Sequence, residues 1–172
     1  LLKTLVPTAK TVGIIYNTSE VNSELQVELA KTAAASLGLE IITKGITSVN
    51  ELSQVATSLA AEVDVIYAPT DNTVASGMPI LVQVATEKNI PVIGSEASMV
   101  TNGALATVGI DYYQLGYETG LMAVEVLEGK DPSTMSIQTL ENAQLVINQK
   151  TADSLGITIP DSLLQDAEWM TE

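Results

Sequence analysis

The sequence predicts an α/β domain, a three-layer αβα sandwich built around a five-stranded parallel sheet of order 2-1-3-4-5. Short apolar runs alternate with helical segments along the 172 residues, which is the pattern of βαβ units joined by right-handed crossovers. The runs are continuously apolar, as in parallel strands that are buried on both faces. Five such units with helices on both faces commonly adopt the order 2-1-3-4-5.

The strands are assigned to the apolar runs. The first run, Val-Gly-Ile-Ile-Tyr, is rich in β-branched side chains, which favour strands. A short run at residues 145–148 predicts one further strand near the end of the chain. The five principal strands are placed at residues 12–16, 39–46, 63–68, 91–95 and 104–110.

The first helix follows the first strand. Ser19 or Asn22 can cap its N-terminus, and Gly38 ends it. Its apolar residues recur at helical spacing, which predicts that they face the sheet. They are Leu25, Leu29, Ala33 and Leu37.

Two further helices lie between the second and fourth strands. Ser48 or Asn50 starts the one that precedes the third strand. The other runs over residues 74–88, with Pro79 in its early turns, where a missing N–H is tolerated. A short helix or turn at residues 97–101 precedes the fifth strand.

The two ends of the chain are also predicted to be helical. Residues 113–128 form an amphipathic helix, and residues 150–155 and 162–170 form terminal helices. Residues 1–7 read as the last turn of a helix that stops before Pro7. A chain that begins inside a helix is expected to come from a longer protein.

Composition excludes several classes of partner. The net charge is −14 at pH 7, and all seven basic residues are Lys. Nucleic acids and anionic membranes both need cationic contacts, so neither is an expected partner. The absence of Cys excludes disulfides and thiolate sites. No apolar stretch approaches the roughly 20 residues of a membrane span.

Motifs of catalysis and cofactor binding are also missing from the sequence. It contains no G-x-G-x-x-G after a strand, no P-loop motif and no G-x-S-x-G elbow. Without His, a serine triad cannot form. Glu20, Asp71, Glu96 and Asp111, the acids that follow the predicted strands, lack the spacing of a loop-type calcium site. We therefore expect no cofactor, no metal and no enzymatic step.

Polar clusters follow four of the predicted strands, and loops at the carboxyl ends of parallel strands converge at one edge of a sheet. Their hydroxyl, amide and carboxylate groups are suited to hold a small polar ligand. Asp71 is either a ligand-binding carboxylate or the cap of the next helix. The first cluster opens onto a helix N-terminus, which can seat a ligand carboxylate. The candidate ligand-binding residues are Asn17, Ser19, Glu20, Asn22, Ser23, Asp71, Asn72, Ser95, Glu96 and Asp111.

Several segments together resemble one family. PTAKTVGIIYNTSEVNS at residues 7–23 is similar to the opening of the second lobe of ABC transporter substrate-binding proteins, in the branch whose characterised members take up tryptophan or tyrosine. The similarity extends to YAPTDNTV at 67–74, PVIGSE at 91–96, GIDYYQLG at 109–116 and LVIN at 145–148. The resemblance thus covers nearly the whole chain.

This resemblance implies a type I periplasmic-binding-protein fold, in which two lobes close on a ligand. The chain would be a single second lobe, with core β/α units at 8–112 and a helix, short strand and terminal helices at 113–172. Residues 1–7 would end a helix from a first lobe in the same protein. The helix at 113–128 would cross to that first lobe or else cover its own sheet.

The implied ligand is an amino acid, aromatic in the characterised branch, and the implied partner is an ABC permease. The ligand ammonium would face Asp71 or Glu96, and its carboxylate would face a helix N-terminus. The implied location is extracytoplasmic, in the periplasm or on the cell surface as a lipoprotein.

Two other interpretations stay open at this point. One is an isolated or engineered flavodoxin-like lobe that binds no ligand strongly. The other is a small hydrolase or isomerase that uses Glu20, Asp71 or Glu96 as general base. Two carboxylates on facing loops would permit acid–base catalysis. The sequence offers no oxyanion hole and no cofactor motif for such an enzyme. Exposed apolar positions on residues 113–128 or on the terminal helices also predict self-association.

Overall fold

The computed structural model describes residues 1–140, 143–165 and 167–171. Its strands are β1 (Thr11–Asn17), β2 (Glu40–Ile46), β3 (Val65–Tyr67), β4 (Val92–Ile93), β5 (Ala106–Gly109), β6 (Gln144–Asn148) and β7 (Ala167–Met170). They form one sheet of order β2-β1-β3-β4-β5-β6-β7. β1 to β5 are parallel, β6 is antiparallel to β5, and β7 is parallel to β6.

Helices connect the strands and lie on both faces of the sheet. They are α1 (Leu2–Leu5), α2 (Val21–Ser36), α3 (Leu52–Ala60), α4 (Asn72–Ser76), α5 (Met78–Glu87), α6 (Ala97–Thr101), α7 (Tyr112–Leu127), α8 (Gln149–Leu155) and α9 (Asp161–Leu164). Single 3₁₀ turns lie at Val49–Glu51 and Pro132–Thr134. In the part of the chain that the structure describes, no helix has the length and apolarity needed to cross a membrane.

The α/β class and the order 2-1-3-4-5 of the first five strands are confirmed. The count of five strands is wrong, because β6 and β7 extend the sheet beyond β5. β6 matches the short strand predicted at residues 145–148. The helix predicted at 162–170 is instead α9 followed by β7, whose Trp169 packs on the core and pairs with Ile147. Pairing with a distant strand overrides local helical spacing there.

Two apolar cores lie on the two faces of the sheet. On one face, α3 to α6 pack on strand residues such as Ile15 and Ile66. On the other face, α1 and α8 pack on Val65 and Ile93, and α2 lies over Ile14 of β1. The chain is therefore three-layered, as the sequence predicts.

The helix predicted over residues 74–88 is two helices, α4 and α5, which meet at Gly77. A Cβ at Gly77 would collide with side chains of Leu52 and Val49, so the joint requires glycine for close packing against α3. Pro79 lies in the first turn of α5. The prediction instead placed it in the early turns of one longer helix.

The predicted caps of the first two helices have different outcomes. Glu20 occupies the N-cap position of α2 and no side chain caps that helix, so the prediction of Ser19 or Asn22 as the cap is wrong. Ser48 does cap the turn before α3, since the backbone N–H of Asn50 donates to its Oγ at 3.3 Å.

The apolar stripe predicted for the first helix does not enter the core. Leu25, Leu29 and Leu37 are more than half exposed, because Val27 and Ala34 are the residues that α2 buries. An open apolar groove of about 380 Å³ runs between α2 and the sheet. We call this groove the apolar strip; it is lined by Ile14, Leu29, Ala33, Leu37, Ile41 and Tyr67.

Helix α7 belongs to neither helical layer. None of its 16 residues is buried, and within the described residues it makes no substantial packing contact with the sheet or another helix. It therefore does not cover its own sheet. Its exposed large apolar side chains are Tyr112, Tyr113, Leu115, Tyr117, Leu121, Val124, Val126 and Leu127.

Asp64 ties β1 to the start of β3 at the amino end of the sheet. Its Oδ2 accepts hydrogen bonds from the backbone N–H groups of Lys10 and Thr11 at 2.8 and 2.9 Å, and from the Thr11 hydroxyl at 3.0 Å. The bond from Lys10, followed by those from Thr11, lowers the pKa of Asp64 below its usual 3.8.

We expect Asp64→Asn to destabilise the domain at neutral pH, by less than about 1 kcal/mol because the exposed carboxylate is screened by water. The pKa of Asp64 is lower in the folded state than in the unfolded state. The stabilisation is therefore present above the unfolded value of 3.8 and is lost as the pH falls through the folded value.

Urea unfolding of the parent and of Asp64→Asn at about pH 7 and about pH 2.5 measures this effect. The difference in their free energies of unfolding should be smaller at the acid pH. Glu40→Gln, which neutralises an exposed carboxylate on β2, is the control and should change little. A difference that stays constant or grows in acid would contradict the assignment.

Candidate functional site

The polar residues predicted from the sequence gather at one edge of the sheet. β1, β3, β4 and β5 are neighbours and run parallel, so their carboxyl ends open on the same side. Asn17 ends β1, while Asp71, Glu96 and Asp111 occupy the N-cap positions of α4, α6 and α7. Every one of these helices therefore begins at this edge.

Asp71 is a buried carboxylate, only 1% exposed. Its Oδ2 accepts a hydrogen bond from the backbone N–H of Asn17 at 2.7 Å, and its Oδ1 accepts one from the N–H of Val74 at 2.9 Å. The first bond joins β1 to the loop after β3, and the second caps α4. N–H donors at both oxygens offset the cost of burying the charge. The capping role is therefore present, and contact between Asp71 and a ligand stays a prediction.

Glu20 reaches from the loop after β1 to the start of α4. Its Oε2 accepts hydrogen bonds from the backbone N–H and the Nδ2 of Asn72 at 3.1 and 3.0 Å. Its Oε1 accepts from the backbone N–H and the hydroxyl of Thr73, both at 3.3 Å. Glu20 thus adds a second carboxylate at the N-terminus of α4, where free N–H groups and the helix dipole favour negative charge.

Three side-chain amides complete the connection between these loops. The Nδ2 of Asn22 donates to the carbonyl of Thr70 at 2.8 Å, and the backbone N–H of Thr70 donates to the Oε1 of Gln26 at 2.9 Å. The Nδ2 of Asn17 donates to the Thr73 hydroxyl at 2.7 Å. We call this network the β1–β3 clamp; it joins Asn17, Glu20, Asn22 and Gln26 to Thr70, Asp71, Asn72 and Thr73.

The loops after β4 and β5 are held more loosely. Glu96 and Ile110 form a parallel bridge beyond the ends of β4 and β5. Glu96 also accepts a hydrogen bond from the Ser98 hydroxyl at 2.6 Å, and Asp111 accepts one from the backbone N–H of Gln114 at 3.0 Å. Burial, and then the nearby charge of Glu96, raises the pKa of the Tyr112 hydroxyl. Glu96 and Tyr112 therefore lie together where α7 begins.

The predicted residues differ in how open they are to a ligand. Asn17, Ser23 and Asp71 are buried; Glu20, Ser95, Glu96 and Asp111 are half-buried; Ser19, Asn22 and Asn72 are exposed. The Ser23 hydroxyl has no hydrogen-bond partner among the described residues. A ligand at this edge can touch the open residues directly, while the buried ones hold the loops in place.

Sequence reasoning missed three members of the clamp. Thr73 follows Asn72 directly and belongs to the same polar cluster, so adjacency could have indicated it. Gln26 lies four residues after Asn22, on the same face of α2, and helical spacing could have indicated it. Thr70 contributes backbone groups, for which a sequence carries no signal.

The edge is equipped to bind a polar molecule. It presents acids, hydroxyls and amides, and the first turn of α2 has no side-chain cap, which leaves backbone N–H donors there. Among the residues that the structure describes, no group of three or more Asp and Glu side chains comes together as metal ligands would.

A cleft of about 380 Å³ opens beside this edge. It lies over the sheet face, where Tyr67, Ile93 and Val108 line it, and it reaches Ser95 and Ile110 at the carboxyl edge. Tyr67 and Gln26 line both this cleft and the apolar strip, so the two adjoin at these side chains.

A family model described as ABC transporter substrate binding protein matches residues 1–170. The chain belongs to this family. The resemblance stated from its sequence motifs is thus confirmed, and the family is one of substrate-binding proteins.

Two curated proteins are similar to most of this chain. The tyrosine-binding protein of Clostridioides difficile (strain R20291) is 47% identical over 155 residues, which are 90% of this chain and 45% of that protein. A protein of Rickettsia prowazekii (strain Madrid E) is 30% identical over 146 residues, 85% of this chain and 48% of its own length. The chain spans about half the length of the curated relatives it matches.

Two solved structures are also similar. An ABC domain in complex with L-Trp from Streptococcus pneumonia is 41% identical with a TM-score of 0.93, covering 98% of this chain and 57% of that one. The ligand-free, open structure of a substrate-binding protein with adhesive properties from Clostridium difficile is 45% identical with a TM-score of 0.79, covering 99% and 57%.

The clamp predicts a large effect of Asp71 on stability. Asp71→Ala removes the cap of α4 and leaves the buried N–H of Asn17 without a partner, so we expect a loss of about 2–4 kcal/mol. Asp111→Ala is the matched control, because it removes a half-buried cap with one N–H donor and should cost about 1 kcal/mol. Urea unfolding measures both, and equal losses would contradict the clamp.

Gly109 should not tolerate a side chain. A Cβ there would collide with the backbone carbonyl of Ser95 and with the Thr107 hydroxyl, so we expect Gly109→Ala to destabilise by about 1–3 kcal/mol. Gly116→Ala on α7 meets nothing within 4 Å and should instead stabilise by up to about 1 kcal/mol. Thermal unfolding of the two variants tests this contrast, which a neutral Gly109→Ala would refute.

Proposed function

We propose that this chain is a ligand-binding lobe of the substrate-binding component of an ABC importer, and that the ligand is an aromatic amino acid. The observation that carries the proposal is the convergence of four polar loops on one edge of the sheet in a member of a substrate-binding family. A tyrosine-binding relative and a similar structure in complex with L-Trp support the aromatic class.

The chemistry of the edge fits a zwitterion. Glu96 and Asp111 are half-buried carboxylates that can meet an ammonium group. The edge contains no Arg, so on this side of the ligand its carboxylate would be bound by N–H groups, which the uncapped first turn of α2 beside Ser19 offers, and otherwise by the facing lobe. Of the two acids predicted for the ammonium, Glu96 is the one we assign to it, because both oxygens of Asp71 are already bonded within the clamp.

One edge of a sheet covers one side of a ligand. We therefore propose that a second lobe faces this edge and that the two close on the ligand by a hinge motion, which contacts made only in the closed state would drive. The product of this step is a loaded protein that delivers the amino acid to an ABC permease outside the cytoplasm, with no catalysis.

Calorimetry with L-tyrosine and L-tryptophan tests the proposal, on this chain and on the protein extended to the length of its relatives. We expect the extended protein to bind and this chain to bind far more weakly, since each ~1.4 kcal/mol of lost contact costs about a factor of ten. Glu96→Gln should weaken binding by about tenfold or more, because one charge-assisted bond is lost.

Glu87→Gln is the matched control, as Glu87 ends α5 at the opposite edge and is exposed. Unchanged affinity in Glu96→Gln would contradict the assignment of the ammonium site. If the extended protein binds neither amino acid, the proposed ligand class is wrong.

A further inference from the structure

The carboxylate of Glu96 differs from the other acids at the carboxyl edge in the groups that it bonds. Asp71 and Glu20 accept backbone N–H groups at both oxygens, and Asp111 caps α7 through one backbone N–H. Glu96 occupies the N-cap position of α6, yet its side chain makes no capping bond. Its Oε1 instead accepts a hydrogen bond from the hydroxyl of Ser98 at 2.6 Å. A side chain of the following helix therefore orients this carboxylate.

Ser98 lies on a helix that is fixed to the core. Its neighbours Met99 and Val100 are 1 and 0% exposed, and the Nδ2 of Asn148 in β6 donates to the carbonyl of Val100 at 3.0 Å. The backbone N–H of Met99 donates to the carbonyl of Glu96 at 3.2 Å. These contacts hold the backbone of Ser98 and that of Glu96 in place relative to each other.

The side chain of Glu96 is the movable part of this arrangement. Its backbone forms a parallel bridge with Ile110, but a glutamate side chain has several rotatable bonds, and ordering them when a ligand binds costs conformational entropy. The bond from Ser98 has the length of a charge-assisted O–H···O⁻ bond, which is about twice as strong as a bond between neutral groups. It therefore restricts the carboxylate before a ligand arrives.

The charge of Glu96 is open to a cation. Ion pairs among the described residues all involve other acids; they join Lys31 to Glu28, Lys44 to Glu62 and Lys130 to Glu125. An ionised carboxylate has about four acceptor positions, of which the Ser98 hydroxyl takes one. An ammonium group can therefore bind Glu96 while the bond from Ser98 persists.

We infer that Ser98 is a positioning residue for the ligand, because its hydroxyl holds the carboxylate of Glu96 ready to accept the ammonium group of an amino acid. The inference rests on the proposed function, in which Glu96 binds that ammonium group. Ser98 acts through Glu96, so the effect of its hydroxyl on affinity should depend entirely on the presence of that carboxylate.

Calorimetry with L-tyrosine on the protein extended to the length of its relatives tests the inference. Ser98→Ala should weaken binding about three- to tenfold, because the ligand then has to order Glu96 itself. Ser98→Thr keeps a hydroxyl at this position and should restore most of the affinity. Thr101→Ala is the matched control, since it removes from the same helix an exposed hydroxyl that bonds to the carbonyl of Ala97, and it should leave the affinity unchanged.

A double-mutant cycle separates positioning from a purely structural role. In a protein that already carries Glu96→Ala, adding Ser98→Ala should cause no further loss of affinity, because the carboxylate through which Ser98 acts is gone. Ser98 is exposed, so its variants should keep the thermal unfolding midpoint of the parent.

The outcomes separate this inference from the function on which it rests. If Glu96→Ala weakens binding and Ser98→Ala does not, the ammonium site stands and the inference is overturned. Losses from the two substitutions that simply add would show that Ser98 acts independently of Glu96, which overturns it too. If Glu96→Ala has no effect, or if the parent binds neither L-tyrosine nor L-tryptophan, the ammonium site or the proposed ligand class is wrong, and the inference fails with it.

Discussion

The carboxylate of Asp71 is the contact on which the rest of the polar edge depends. It accepts one N–H from the end of β1 and one from the first turn of α4, and so it fixes two loops relative to each other at the center of the sheet. Glu20 and Asn22 can bond across the same gap because those loops are already close. Burial makes this arrangement strong, since an unpaired charge there would be costly.

The two halves of the edge differ in how densely their loops are hydrogen-bonded to each other. The side formed by β1 and β3 is joined by side-chain and backbone hydrogen bonds, and its acids are largely used within the protein. On the side formed by β4 and β5, Glu96 and Ile110 form a bridge. Asp111 caps α7 through one backbone N–H, and Glu96 accepts from the Ser98 hydroxyl without capping α6. A ligand can compete for groups on the second side more easily than on the first, which is why Glu96 is the better candidate for contact.

The two faces of the sheet are covered by helices to different extents. One face of the sheet is covered by α3 to α6, whose side chains fill a continuous core. The other face is covered by α1, α2 and α8, and the apolar strip remains between α2 and the sheet. Helix α7 carries many apolar side chains although none of its residues is buried. It starts after β5, whereas the apolar strip lies over β1 and β2.

The sequence by itself determined the fold class, the order of the first five strands and the clustering of polar residues at one edge. These follow from hydrophobic periodicity and from the parallel arrangement of the strands, both of which are local or topological properties. It also indicated most of the clamp, because Asn17, Glu20 and Asp71 lie in the strand-end loops. Family membership followed from short motifs distributed over nearly the whole chain.

Tertiary structure alone decided the rest. β7 forms by pairing with β6, although its own residues have helical spacing. Leu25 and Leu29 have the spacing of a core stripe and are exposed, because α2 turns Val27 and Ala34 toward the sheet. Gln26 entered the clamp only because the loop after β3 lies within reach. In each case the outcome depends on which distant segment of the chain packs against the residue. The hydrophobic periodicity of a segment carries no information about that distant segment, so the sequence pattern could not predict it.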